Sequence, residues 1–138
     1  MRTLLLAGLL AFTVCACSRE RDSQAVTDRA PAKIDTVTVD ELDHMLASHA
    51  CQAVDANGTD TRRRMGIIPG AILLPDIDSL DRLPPDKNEY LVFYCANPSC
   101  GASHEVASKA LLAGYKHVRV LPEGIAGWVK AGKKIASL

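Results

Sequence analysis

Residues 91–107, LVFYCANPSCGASHEVA, decide how this chain is read. The run from Leu91 to Tyr94 is apolar without alternation, as expected of a strand buried on both faces of a parallel sheet. It ends at Cys95. From Ala102 the spacing becomes helical, with Val106, Ala107, Ala110 and Leu111 inward and Gly114 as the stop. A strand feeding a helix through a short loop places Cys95 outside the carboxyl end of a strand, where open α/β sheets bind ligands. A second thiol, Cys100, follows five positions later. The pair reads as a nucleophile with a helper, as a disulfide that stiffens the loop, or as half of a metal clip.

Working outward, the same two periods recur. TVDELDHMLASH opens with a capping box, Thr38 and Glu41, and sets Leu42, Met45 and Leu46 on one helical face. CQAVDA, ending in Asp55 and Ala56, and AILLP read as short strands before EYLVFY, and HVRVLP as one after the helix. GIAGWVKAG reads as a closing helical turn, with Trp128 packing. Strands alternating with helices predict an α/β fold, a parallel sheet flanked by helices, over residues 37–138.

With 138 residues the chain supplies one domain with a real core. Sixteen basic and sixteen acidic side chains cancel, so nothing points to nucleic acid as a partner. No cofactor is called for. Zinc is disfavoured, because two thiols and one nearby imidazole, His104, fall short of four ligands. His104 is read as solvent-facing, His44, His49 and His117 as surface residues, and Cys51 as a buried small hydrophobe.

The first residues form a different unit. The apolar stretch Leu4–Val14 is well short of the roughly 20 residues of a spanning helix, so residues 1–16 read as a signal peptide. VCAC, ending at Cys17, resembles the lipobox of bacterial lipoproteins. By that resemblance cleavage follows Ala16 and Cys17 carries a lipid that holds the protein to a membrane; ordinary cleavage to a soluble periplasmic protein is the alternative. Arg19 stands where an aspartate often marks inner-membrane retention, which implies the outer membrane. Residues 17–36 read as this anchor and a polar tether, in a compartment that permits disulfides.

The order of landmarks from about residue 37 to 135 resembles a rhodanese-like domain. VDA followed by GIIPGAILL resembles that family's strand-ending Asp and its Gly-His-Ile-Pro-Gly-Ala turn. LVFYC resembles the strand that delivers the active cysteine, ALLAGYKHVRVL the helix and strand beyond it, and EGIAGWVKAG the closing Gly-Gly-x-x-x-Trp segment. Three departures matter. Ile67 replaces the histidine of the turn, Asn57 replaces the arginine of Asp-x-Arg, and Cys100 stands where small sulfurtransferases carry a loop arginine. The loop is also longer, as in phosphatases and arsenate reductases of this fold, but their anion-binding arginine falls at Gly101, which disfavours phosphatase chemistry.

The resemblance implies sulfur transfer through a Cys95 persulfide, fed by a small sulfur donor or a protein persulfide. The attacking species is a thiolate, and a nearby helix N-terminus favours it. The loop from Ala96 to Ala102, including Ser99 and Gly101, is expected to turn its backbone N–H groups toward Cys95, with Asn97 and Ser103 as further donors. Pro98 stiffens the turn. Cys100 is expected to resolve the persulfide, leaving a Cys95–Cys100 disulfide. Arg62 to Arg64 read either as a solvated run or as steering for an anionic substrate, Arg62 above all. Two alternatives remain open: a thiol–disulfide redox protein using the same pair, and a silent rhodanese fold used as a binding module.

Overall fold

A computed structural model describes residues 33–138; the signal peptide, Cys17 and most of the tether lie outside the described residues. Five strands, β1 (Asp35–Thr36), β2 (Gln52–Asp55), β3 (Ile72–Leu73), β4 (Tyr90–Tyr94) and β5 (His117–Leu121), form one sheet in the order β1-β5-β4-β2-β3, and every pairing is parallel. Four helices accompany it: α1 (Val39–Ala47), α2 (Thr59–Met65), α3 (Ala102–Leu112) and α4 (Gly124–Lys130). The α/β class and the parallel sheet flanked by helices are as the sequence predicts. No helix among the described residues is long and apolar enough to cross a membrane.

The apolar run Leu91–Tyr94 lies in the central strand. Leu91, Phe93 and Cys95 face one core with Val106, Ala107 and Ala110 of α3, while Val92 and Tyr94 face a second core with Leu42 of α1 and Ile125 and Trp128 of α4. Leu91 to Tyr94 are buried on both faces, so alternation never appears in the sequence. Each fully buried Leu or Phe stabilises the fold by roughly 1.5–3 kcal/mol.

Two elements escape the sequence patterns. Asp35–Thr36 pairs with Arg119–Val120 at the edge of the sheet, inside the stretch that reads as tether. Helix α2, TDTRRRM, falls where the sequence reads as loop, because it shows no apolar period; it is held instead by burial of Arg62 and closed by Gly66 at φ +77°.

The order in which strands are added across the sheet reverses between β2 and β4. From β2 the chain moves outward to β3, and from β4 it moves the other way to β5. The crevice at the carboxyl ends of β2 and β4 is therefore the topological switch point where such sheets bind ligands. Cys95 follows β4 directly, and Ala56 and Asn57 follow β2.

Candidate active site

The end of β4 is clamped from behind by the start of α4. The amides of Ile125 and Ala126 donate to the carbonyls of Cys95 (2.8 Å) and Ala96 (3.0 Å). This approach needs a glycine. A Cβ on Gly124 would stand 2.5 Å from the Cys95 carbonyl oxygen and 2.8 Å from Asn97 N, and φ there is +61°. The EGIAG segment thus fixes the backbone on which both thiols are mounted.

The loop closes on itself. Cys100 N–H donates to the Asn97 carbonyl at 3.0 Å, and Ser99 N–H donates to Asn97 Oδ1 at 2.9 Å. With Asn97 first and Pro98 second, this is a favourable sequence for a tight turn. Asn97 and Ser99 are exposed and serve the turn, so the donor role expected of the Asn97 side chain gives way to turn formation. Gly101 then leads into α3, its carbonyl accepting from Glu105 N–H.

The two thiols are free and differently placed. Cys95 is only 2% exposed; its thiol donates to the Cys100 carbonyl at 3.0 Å and lies 3.3 Å from Ser103 Oγ. Cys100 is half-buried, and its carbonyl accepts from the Cys95 thiol.

Their acidities follow. Burial, then the hydrogen bond with Cys100, pushes the Cys95 thiol above the ordinary cysteine value, and the hydroxyl and amide of Ser103 offset this only in part. For Cys100, burial raises the value, but the Cys95 thiol and the amides of Ala96 and Ala102 together outweigh it, and the net direction is down. The sequence leads one to expect loop amides that serve Cys95. The Cys95 sulfur meets the Cys100 carbonyl and Ser103 Oγ, because its side chain points into the core beside α3, while Cys100 closes the turn from Asn97 at the loop surface.

A buried polar cluster joins the ends of β2 and β4. Tyr94 OH donates to Asp55 Oδ2 (2.7 Å) and accepts from Ile68 N–H (3.1 Å), and Asp55 Oδ1 accepts from Asn57 N–H (2.6 Å). Burial and the adjacent Asp55 carboxylate raise the Tyr94 pKa, so the phenol stays protonated. Arg62 reaches the same cluster: its Nη2 donates to the carbonyls of Asp55 (3.0 Å) and Leu74 (2.7 Å), and its Nε sits 3.4 Å from Asp55 Oδ1. At 6% exposure Arg62 neither meets solvent nor steers substrate. It ties the ends of β2 and β3 together, a correction to both expectations for this arginine; Arg63 and Arg64 are exposed.

Elsewhere, His104 is exposed in the first turn of α3. Cys51 is buried at the opposite end of the sheet, and burial raises its pKa to about 11, which removes it from the thiol chemistry. Among the described residues no three His, Cys, Asp or Glu side chains gather as a metal site. Tyr94 and Gly124 do not stand out in the sequence as site residues. Their only signals there are a hydroxyl-bearing residue at the end of an otherwise apolar strand and a glycine opening a helix.

A parallel α/β sheet with a thiol at the end of its central strand, backed by a glycine-led helix, defines the class. The chain belongs to the rhodanese-like family: residues 38–131 match the family model described as Rhodanese-like domain. Among solved structures, it is similar to the BH2092 protein of Bacillus halodurans, with 23% identity over 75% of this chain and 77% of that one and a TM-score of 0.64. It is likewise similar to the Rhodopseudomonas palustris protein RPA3614, described as a possible tyrosine phosphatase, at 25% identity, 92% and 99% coverage and TM-score 0.64. The third is SseA of Escherichia coli, a 3-mercaptopyruvate sulfotransferase with the rhodanese fold. It shows 19% identity, 76% and 51% coverage and TM-score 0.61. No curated protein matches the chain.

Proposed function

We propose that this protein is a sulfurtransferase that carries sulfane sulfur on the Cys95–Cys100 thiol pair. One observation carries the reading: two free thiols share one loop at the switch point of a rhodanese-like sheet, and the Cys95 thiol donates to the Cys100 carbonyl at 3.0 Å. Sulfur loaded on either thiol can be expelled by the other. The outcome is a persulfide passed to an acceptor, or sulfide and an intraloop disulfide that an external dithiol must reduce.

No side chain from Ala96 to Ser103 carries a positive charge. Phosphoryl transfer needs a cationic clamp on developing phosphate charge, which weighs against the activity suggested for the Rhodopseudomonas relative. The same lack weighs against thiosulfate, whose leaving sulfite is a dianion, and favours a polysulfide or protein persulfide as donor. The apolar leader and Cys17 support a periplasmic, lipid-anchored setting.

The second reading, a thiol–disulfide redox protein, is favoured by the same proximity of the thiols. Turnover assays separate them. Thiocyanate formed from cyanide and polysulfide supports sulfur transfer. Dithiol-dependent disulfide turnover without thiocyanate supports the redox protein, and neither activity from a folded protein supports a silent binding module.

A further inference from the structure

We propose that the Cys100–Gly101 peptide is a two-position switch on Cys95. In the resting loop the Cys100 carbonyl holds the Cys95 proton, and a half-turn of that peptide puts Gly101 N–H on the sulfur in its place. The switch rests on the loop geometry alone; the sulfur that the switched thiolate takes up rests on the sulfur-transfer reading.

The resting position is the one in the structure. Cys95 is 2% exposed, and its thiol donates to the Cys100 carbonyl at 3.0 Å. Its one proton is engaged there, so the Ser103 hydroxyl, 3.3 Å away, is left as the donor to sulfur. A carbonyl oxygen facing the sulfur accepts from the thiol and repels the thiolate, which keeps Cys95 in its unreactive form. The bonds on either side leave this peptide free to turn alone. Cys100 N–H donates to the Asn97 carbonyl, and the Gly101 carbonyl accepts from Glu105 N–H, but those groups belong to the peptides before and after it. Among the described residues neither the Cys100 carbonyl nor Gly101 N–H has a backbone partner. A half-turn therefore breaks only the bond from the Cys95 thiol.

Gly101 is what permits the movement. It stands at φ −82°, ψ −11°, the dihedrals of the third residue of a type I turn. Turning the peptide before it converts type I to type II, which carries φ to about +80°, a value that favours glycine and, next, asparagine. Its N–H then points where the carbonyl pointed. The Cys95 proton passes to water, and the thiolate accepts from Gly101 N–H and from the Ser103 hydroxyl. That thiolate attacks the outer sulfur of a polysulfide or protein persulfide; the donor's S–S bond breaks, and its remaining thiolate leaves with the electron pair. The loop amide that the sequence leads one to expect at Cys95 is thus supplied by the turned peptide and not by the resting one. A Cβ built at Gly101 meets nothing within 4 Å, so a side chain fits the resting loop and bears only on the turned one.

The test is iodoacetamide labelling of Cys95 in the reduced full chain at neutral pH, followed by peptide mapping, in the wild type, Gly101→Ala and Gly101→Asn. Gly101→Ala should unfold no earlier in denaturant than the wild type, since its resting φ suits any residue. It should nevertheless label Cys95 about tenfold more slowly, because an L-residue resists positive φ. Gly101→Asn should regain most of the lost rate, because asparagine tolerates that region. Equal Cys95 rates in the wild type and Gly101→Ala would overturn the switch, and so would Gly101→Asn as slow as Gly101→Ala. A second arm exposes the same three proteins to polysulfide and follows sulfur added at Cys95. Labelling in the order glycine, asparagine, alanine with no sulfur taken up by any of them leaves the switch standing while sulfur transfer fails. Sulfur taken up at one rate by all three overturns the switch and leaves the sulfurtransferase reading intact.

Discussion

Asp55 and Tyr94 are register partners at the ends of β2 and β4, and the Tyr94 hydroxyl donates to Asp55 Oδ2 at 2.7 Å, one residue before the Cys95 that opens the thiol loop. The hydroxyl oxygen also accepts from Ile68 N–H, so one buried group satisfies two partners. Tyr94→Phe removes both bonds and leaves a buried carboxylate oxygen and an amide unpaired, at about 1–3 kcal/mol for each group. Chemical denaturation should show a clear loss of stability, while Tyr90→Phe, on an exposed ring, should show almost none.

Gly124 supports the loop by having no side chain. In Gly124→Ala the new Cβ would overlap backbone atoms of Cys95, Ala96 and Asn97, which cannot rotate away, at a φ that L-residues rarely adopt. The variant should lose about 2–4 kcal/mol of stability and nearly all loop-thiol reactivity. Gly132→Ala, also at positive φ but in open space, should cost only about 1 kcal/mol and leave that reactivity intact.

Ser103 touches Cys95 and is itself buried, and its hydroxyl favours the Cys95 thiolate. Ser103→Ala should therefore raise the Cys95 pKa further and slow closure of the Cys95–Cys100 disulfide several-fold. Iodoacetamide labelling of the more exposed Cys100 should change little. Stopped-flow oxidation set beside iodoacetamide mapping separates the two effects.

Cys51 gives the alkaline limb of stability a defined origin. Its thiol titrates near 9.0 when unperturbed and is raised to about 11 in the fold by burial. Between those values the unfolded chain has lost a proton that the native state retains, so stability falls as pH rises from 9 to 11 and is unaffected by this group below 9. The loss is at most roughly 3 kcal/mol. Cys51→Ala should flatten that limb in unfolding curves taken across the range.

Most of the fold is legible because burial writes itself into sequence. Leu91 to Tyr94 show no alternation, and the Thr38–Glu41 capping box is present as read, with both bonds formed. What stays hidden has identifiable causes. Helix α2 carries three consecutive arginines, and the burial of Arg62 follows from backbone carbonyls that Asp55 and Leu74 supply from two different strand ends. Strand β1 has two exposed residues that carry no apolar signal and is held by pairing alone. At the site, the spacing of Cys95 and Cys100 is visible in one line of sequence. That one thiol is buried beside α3 and the other half-buried is decided by the turn at Asn97–Cys100 and by the α4 clamp, and neither declares its direction in residue types.

The most direct measurement of the central claim is peptide-resolved mass spectrometry of the reduced protein after brief exposure to polysulfide. The account predicts one added sulfur atom on the cysteine that remains in Cys95→Ala or Cys100→Ala, and a Cys95–Cys100 disulfide with released sulfide in the wild-type chain. No added sulfur on either cysteine in the two variants, with no disulfide and no sulfide from the wild-type chain, would contradict it.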